Sequence, residues 1–589
     1  MLSGSQLIYK ALLRNNTKNV FIYSGGAIMP LIDQFKNKYY SKINYYINNH
    51  EQNCGHSATG YAKTTERTGV CIVTSGPGLT NMVTPILDAQ NDSTPLIVLS
   101  GQVSTSALGT RAFQECNAVK ITEPCTKWSY QIKETDDITE IINKAFYIAN
   151  HKRKGVVHID LPKDLLTKKY VVDKSSKFMN INMNMNIDMI SNESNKQINY
   201  HQIIDIINNS KKPILYVGQG CNSSYKELTY FVNKTKIPIT TTIHANGCVN
   251  ENNPYSLGFL GMHGHPRANL AIHNSDCIIA LGSRFDDRTI GTIDSYAPNC
   301  KNIIHVNIDN DDLGKNIKNI SGRTLHKYEI SCKNFLQTIN SKKYINNIHI
   351  NTNKWIRQIR KYPKIELIKH KLTTQYIIRQ INHILHHSKI FKTTDRNMDY
   401  IITTGVGNHQ MMASQFIKWT NPKSFISSGS LGVMGVGLPY AIGAQIANPN
   451  KRIILIDGDG SFNHTLADLQ TIKRYNLPIK IFIMNDSNLS MVRAWEQLFF
   501  DNNIVATDLP TNPDYCKLGE SYGITNILCD NEKDIHMSII DTLDYDGPII
   551  CEFRLKSTLC LPLVEPGKGL NEMILSYKQV HHLEGDAPS

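Results

Sequence analysis

No two of the thirteen cysteines stand in a CxxC pair, and their number is odd. The sequence therefore offers neither a zinc cluster nor a disulfide framework, and its thiols read as reduced. Long apolar runs are missing too: "IKIFIM" at 479–484 is among the longest, far below the ~20 residues that cross a bilayer. The N-terminal "MLSGSQLIYKALLRNN" lacks a signal-peptide core, so neither a membrane nor secretion is expected. The net charge is +13, but lysine is spread along the chain rather than gathered in one block, and no nucleic-acid partner is expected. An AT-biased genome enriching Lys, Asn and Ile accounts for the charge. That bias points to a plastid-encoded stromal protein or, failing that, to a bacterial cytoplasm.

What is present is length and alternation. The 589 residues, 41% of them hydrophobic, suit three or four domains of about 150 residues each. Two stretches read as linkers: the low-complexity "MNINMNMNIDMISNESNKQIN" at 179–199 and the polar, basic region 341–374. They leave parts at 1–178, 200–340 and 375–574, with a tail at 575–589. Within each part, short apolar strands such as "GVCIVTS", "CIIALGS" and "RIILIDG" end in Gly or Ser and run into helical patterns. That is the pattern of three α/β domains, each a mainly parallel sheet flanked by helices. Such sheets bind ligands at the carboxyl ends of their strands.

One strand end stands out. "IDGDGSF" at 456–462 is ordinary turn chemistry by itself, but about 25 residues later the buried strand "LPIKIFIM" ends in "NDSN" at 485–488. Neighbouring strands would bring Asp459 and Asp486 to one edge as Mg²⁺ ligands, with a backbone carbonyl near Asn488. Mg²⁺ favours few carboxylates plus phosphate oxygens and water. A helix starting near Ser461 would offer N–H groups to an anion. The spacing resembles the thiamine diphosphate motif of the decarboxylase and carboligase superfamily, in which Gly458, Gly460 and Ser461 would meet the diphosphate and Asp486 would take the metal-ligand position.

"NNHEQNCGHSATGYAKTT" at 48–65 places Glu51 where a strand gives way to a helix. An N-terminal glutamate needs no function beyond the helix dipole. Its neighbours, "TSGPGLTNMVTPILDAQNDSTPLIVLSGQV" at 74–103 and "AFQECNAVKITEPCTKW" at 112–128, closely resemble the first domain of the acetohydroxyacid (acetolactate) synthase catalytic-subunit family. The resemblance implies that Glu51 activates the coenzyme by sharing a proton with its pyrimidine N1′. A carboxyl in an apolar pocket has its pKa raised, as that role requires. It also places Gln114 and Lys163 among the catalytic residues and Phe113 in the substrate pocket, with Gly76 letting the backbone approach the ligand.

The middle stretches "LYVGQGC", "ITTTIHANG", "LGFLGMHGH" and "ALGSRFDDRTIG" follow the order of that family's FAD-binding domain. By resemblance FAD would touch Arg153, Gly218, Gly220, Thr242, Met262, His263 and Gly264. Gly282, Arg284, Asp286, Arg288, Asn307 and Ile308 would complete its site. In the third part, "TTGVGNHQM" and "SSGSLGVMGVGLPYAIGA" assign Asn408, His409 and Met434 to thiamine diphosphate. "LSMVRAWEQLFF" at 489–500 assigns Met491 to the coenzyme's bent shape, and Met491, Arg493 and Trp495 to the second-substrate pocket. A Met and a Trp four apart on a helix otherwise read as core. "LPLVEPGKGLNEMI" at 561–574 resembles the segment that closes over the site.

The family implies a homodimer with active sites between subunits and a separate regulatory small subunit. Its reaction decarboxylates pyruvate and joins the two-carbon unit to pyruvate or 2-ketobutyrate, giving 2-acetolactate or 2-aceto-2-hydroxybutyrate on the way to valine, leucine and isoleucine, with a structural FAD. Two alternatives stay open on the sequence alone: another thiamine diphosphate enzyme, such as a pyruvate oxidase whose flavin takes electrons, and a non-catalytic paralogue.

Overall fold

The computed structural model describes residues 1–36, 42–171, 198–318, 322–387 and 399–580. The low-complexity linker, apart from its last two residues, and the end of the tail lie outside the described residues.

Three six-stranded sheets follow one another along the chain. The first comprises β1 (Asn19–Ile22), β2 (Asn44–Ile47), β3 (Gly69–Val73), β4 (Leu96–Gln102), β5 (Trp128–Gln131) and β6 (Val156–Pro162), in the order β2-β1-β3-β4-β6-β5. The second has β7 (Pro213–Val217), β8 (Ile239–Thr241), β9 (Ser256–Phe259), β10 (Cys277–Leu281), β11 (Asn302–Asn307) and β12 (Thr324–Glu329), ordered β9-β8-β7-β10-β11-β12. The third has β13 (Tyr400–Thr404), β14 (Phe425–Ile426), β15 (Arg452–Gly458), β16 (Lys480–Asn485), β17 (Thr525–Cys529) and β18 (Ile549–Arg554), ordered β14-β13-β15-β16-β18-β17. Every pairing in the three sheets is parallel. The outer two sheets share one topology, and the middle one has the doubly wound order of dinucleotide-binding folds.

Central strands are apolar without a break because helices cover both faces of each sheet. Alternate residues feed opposite cores: Val70 and Ile72 join one, Cys71 and Val73 the other. Leu215 and Val217 are likewise separated from Ile214 and Tyr216, and Ile454 and Ile456 from Ile453 and Leu455. The outer units meet through helices Glu51–Thr64 and Gly437–Ala447, whose close approach requires glycine. A Cβ on Gly60 would lie 2.5 Å from the Tyr440 carbonyl, and one on Gly443 1.9 Å from the Ser57 carbonyl.

The polar stretch 341–374 runs from the middle unit to the third and is also anchored. Its helix Asn353–Ile359 buries Trp355 and Ile359, four apart on one face, and Trp355 Nε1 donates to the Pro213 carbonyl at 3.1 Å. All thirteen cysteines are free. Among the described residues no helix is long and apolar enough to cross a membrane.

Candidate functional site

Polar residues gather at the carboxyl ends of all three sheets. In the first unit Glu51 is the first residue of helix Glu51–Thr64, which follows β2. It is 8% exposed, and its Oε2 accepts from Asn81 Nδ2 at 3.0 Å. Asn81 ends the short helix Pro77–Thr80, whose N-cap Gly76 has φ +56°. A Cβ at Gly76 would stand 2.9 Å from the Gln114 carbonyl, so Glu51, Gly76 and Gln114 share one patch. Phe113 beside them is 88% exposed. Lys163 is exposed at the start of helix Lys163–Thr167, after β6.

In the third unit β15 and β16 are neighbours, with Gly458 in register with Met484, which puts Asp459 and Asp486 on one edge. The helix after β15 is the single turn Asp459–Phe462, beginning two residues before the start near Ser461 read from the sequence. Gly458 is extended and serves as N-cap, so strand and helix abut with no loop between them. Asp459 is 1% exposed and accepts from Asn512 Nδ2 at 2.6 Å. Burial, then the charge of Asp486, pushes its carboxyl up to about 7. Asp486 is also raised by burial, against a hydrogen bond from Ser490 Oγ. Two carboxylates held together without a Lys or Arg partner fit a divalent cation. Among the described residues no three His, Cys, Asp or Glu gather as a metal cluster, so further ligands would be carbonyls, such as that of Asn488, and phosphate oxygens. Arg493 donates to Asn488 Oδ1 at 2.9 Å and pairs with Asp508, tying down this loop.

The same edge holds buried polar atoms without hydrogen-bond partners: Asn408 Oδ1, His409 Nε2 and Asp457 Oδ2. His409 Nε2 lies 3.2 Å from Asp457 Oδ1 but out of hydrogen-bond alignment. Such atoms are costly unless a ligand satisfies them, and their position beside Asp459 fits a diphosphate. Glycine is required at 405, where a Cβ would fall 2.1 Å from both Asp457 Oδ1 and Ser461 Oγ. Ser461 Oγ accepts from Gly435 N at 2.9 Å, and Met434 Cε stands beside Gly460.

A cavity of about 1130 Å³ opens among the three units. Its floor is the switch point between β7 and β10, where a Cβ on Gly218 would lie 2.2 Å from the Gly282 carbonyl and one on Gly220 2.8 Å from Gly282 Cα. Thr242, Met262, His263, Arg284 and Asp286 line it, as do Arg288, Asn307 and Ile308. Arg153 reaches in from the first unit, and Met491 and Trp495 from the third. Gly264 does not line it; its N–H closes a turn onto the Gly261 carbonyl. Nor do Glu51, Gln114, Phe113, Lys163 and Arg493. The size, the glycine cradle and the orphaned Ser283 Oγ on its wall fit a flavin dinucleotide. Asn307 uses both ends of its amide, donating to the Ser283 carbonyl and accepting from Asp309 N, each at 3.0 Å. Trp495 sits on helix Ser490–Phe499, whose one buried residue is Ala494, so it faces the cavity rather than a core.

One cluster was not read from the sequence. Asp92, fully buried, pairs with Lys63 at 2.6 Å and His244 at 3.1 Å, and accepts from the backbone N–H groups of Gly429 and Ser430. Burial pushes its carboxyl up, but His244 and Lys63 hold it well below the usual carboxylate range. It joins all three units beside the cavity.

Comparison with known proteins gives this arrangement a family. Residues 2–121 match the thiamine pyrophosphate enzyme N-terminal TPP binding domain, 200–323 the central domain and 405–553 the C-terminal TPP binding domain. The chain is 39% identical to the acetolactate synthase large subunit of Cyanidium caldarium, over 98% of this chain and 97% of that one. It is 37% identical to the mitochondrial acetolactate synthase catalytic subunit of Saccharomyces cerevisiae, over 97% of this chain and 84% of that one. With a probable acetolactate synthase large subunit of Methanococcus aeolicus the identity is 35%, over 97% and 95%. The chain belongs to the family of acetolactate synthase large, catalytic subunits, built from the three domains of thiamine diphosphate enzymes.

Proposed function

We propose that the protein decarboxylates pyruvate and condenses the two-carbon unit with a second pyruvate or with 2-ketobutyrate, giving 2-acetolactate or 2-aceto-2-hydroxybutyrate. The observation that carries this reading is similarity to acetolactate synthase catalytic subunits along 97–98% of the chain. Bound thiamine diphosphate supplies the electron sink that lets CO₂ leave. Glu51, buried at the start of its helix and oriented by Asn81 Nδ2, shares a proton with the pyrimidine N1′. Asp459, Asp486 and the Asn488 carbonyl hold Mg²⁺; Asn408 and His409 bind the diphosphate beside Gly458, Gly460 and Ser461. Met434 and Met491 set the coenzyme's shape, while Gln114, Lys163 and Phe113 attend the substrate and Trp495 senses the second one.

FAD occupies the three-unit cavity, its phosphates met by Arg153, Arg284 and Arg288. The exposed Phe113 beside the half-buried Gln114 supports a homodimer in which another subunit covers it, and the relatives' description as large or catalytic subunits supports a smaller regulatory partner. A plastid location is supported by the Lys, Asn and Ile enrichment, and localisation by microscopy tests it. The reaction is tested by assaying acetolactate from pyruvate with and without thiamine diphosphate and Mg²⁺: product is expected only with both. Flavin bleaching by pyruvate without oxygen, and no acetolactate, would mark an oxidase instead.

A further inference from the structure

A second cavity, of about 640 Å³, lies apart from these sites, where the middle unit, the stretch 341–374 and the third unit meet. Each wall brings cations to it. Arg267 comes from helix Pro266–His273, Arg360 and Lys364 from the connecting stretch, and Arg379 and Lys418 from the third unit. Among the described residues none of these five forms an ion pair with an acid. Their polar contacts go to neutral groups: Arg267 Nη2 donates to the Arg360 carbonyl at 2.9 Å, and Lys418 Nζ to Asn252 Oδ1 at 3.2 Å. His383 and His387 join the same wall, their rings 5.2 Å apart. The one carboxyl in the lining, Glu251, is engaged by the backbone: its Oε2 accepts from the Trp419 N–H at 3.2 Å, and burial pushes it up to about 8 against the charge of Lys418. Tyr255, Leu257, Pro363 and Phe416 form an apolar shelf beside the charges.

Like charges gathered around one cleft repel one another. Natural folds disperse such charges or supply a counter-ion. Here the three chain segments converge their cations on one opening of small-ligand size, too narrow for a protein face of standard area. We propose that this cleft binds a small molecule bearing a chain of phosphates, with Arg267, Arg360, Lys364 and Arg379 on the phosphates and the apolar shelf against the remainder. Because the ligand would bridge the middle and third units, it would hold fixed the two bodies that share the flavin cavity.

Calorimetric titration of inorganic triphosphate into the full chain, saturated with thiamine diphosphate, Mg²⁺ and FAD at 0.15 M NaCl, tests the assignment. Binding is expected at one per chain. Arg379→Gln and Lys364→Gln, at partly or fully exposed side chains, should each weaken it about tenfold with an unchanged circular dichroism spectrum. Lys517→Gln, far away and already paired with Asp514, should not. A second arm uses adenosine triphosphate: tighter binding than triphosphate assigns the shelf to a nucleoside, and equal binding assigns the phosphate chain alone. Absence of saturable binding, or equal weakening by Lys517→Gln, overturns the proposal. The variant comparison separates this cleft from an unfilled cofactor site, which Arg379 does not line.

Discussion

The first and third units share one strand order and differ in what stands at their strand ends. The third places Asp459, Asp486, Asp457, Asn408 and His409 on a buried edge. The first brings Glu51 to its edge beside Phe113, which is 88% exposed, while Asp160 and Asp164 at the end of β6 already accept from Ser100, Gln102 and Thr105. A shared topology thus carries two different sets of strand-end residues, one rich in oxygen ligands left free and one bare of them, and function follows the residues grafted on the ends rather than the sheet. In the proposed homodimer the exposed Phe113 would be covered by a second chain.

The sharpest way to break this comparison is complementation. Glu51→Gln should lower turnover by ~10²–10⁴-fold, as for loss of a general acid–base, with the fold intact. Asp459→Ala should abolish Mg²⁺-dependent coenzyme binding. If each site takes Glu51 from one chain and Asp459 from another, co-refolding the two dead variants should restore about a quarter of wild-type activity, since roughly half the dimers are mixed and each mixed dimer has one intact site. No recovery would place both halves in one chain.

Next in size is Trp495, which sharpens the contrast at the cavity shared by the units. One methylene distinguishes the two acceptors, worth ~1–3 kcal/mol or roughly 10–200-fold in kcat/KM within a close apolar pocket. Trp495→Leu should keep acetolactate formation while losing most of any preference for 2-ketobutyrate. A buried Trp would instead cost ~3–5 kcal/mol of stability, which the half-buried position on a helix with one buried residue argues against. Competing both acceptors in one tube gives the product ratio, and an unchanged ratio removes Trp495 from the pocket.

Much of this edge was legible in the sequence, for a physical reason. "RIILID" and "IKIFIM" are strands buried on both faces, and the turn after each exposes oxygen ligands, so adjacency follows from chain order and parallel pairing. The identical order of the outer sheets was not legible, because strand order depends on which face each crossover covers. Asp92 was hidden for another reason: "QNDSTP" reads as turn chemistry, and its partners Lys63, His244 and Gly429 are remote in sequence and met only when three units close together. Trp355 was masked by the polar residues around it, although Trp355 and Ile359 carry a helical spacing. The one-turn helix starts at Asp459 because Gly458 passes straight from strand to cap.

A pH dependence separates the acidic edge from the bare one. Asp459 titrates at about 7 before metal binds, well above the ordinary carboxylate value. The folded apo chain therefore holds a proton that the unfolded chain has released across roughly pH 4 to 7, and its stability should decline as pH rises through that window. The same proton competes with Mg²⁺, so below pH 7 metal affinity should fall about tenfold per unit. Calorimetry at pH 6 and 8 measures it, and equal affinities would show that Asp459 is not a ligand.

The smallest expected effect concerns the second carboxylate alone. In the proposed site Asp486 would add negative charge beside the diphosphate, and its charge is the second cause, after burial, of the raised pKa of Asp459. Asp486→Asn keeps a side-chain oxygen for Mg²⁺ and removes the charge. Asp459 should then ionise at lower pH, and thiamine diphosphate should bind several-fold tighter at saturating Mg²⁺, because like charges on neighbouring strand ends no longer repel. Activity should persist, since no proton passes through Asp486. Ser490 Oγ, which donates to Asp486, can still donate to the amide oxygen, so the loop keeps its support. Titrating the coenzyme into both proteins at pH 7 and 8 decides the matter: the variant's advantage should be present at both and larger at pH 8, above the value of about 7 to which Asp459 is pushed. Equal affinity at pH 8 would mean that Mg²⁺ already neutralises the extra charge, and the acidic edge would then differ from the bare one by its ligands and not by its field.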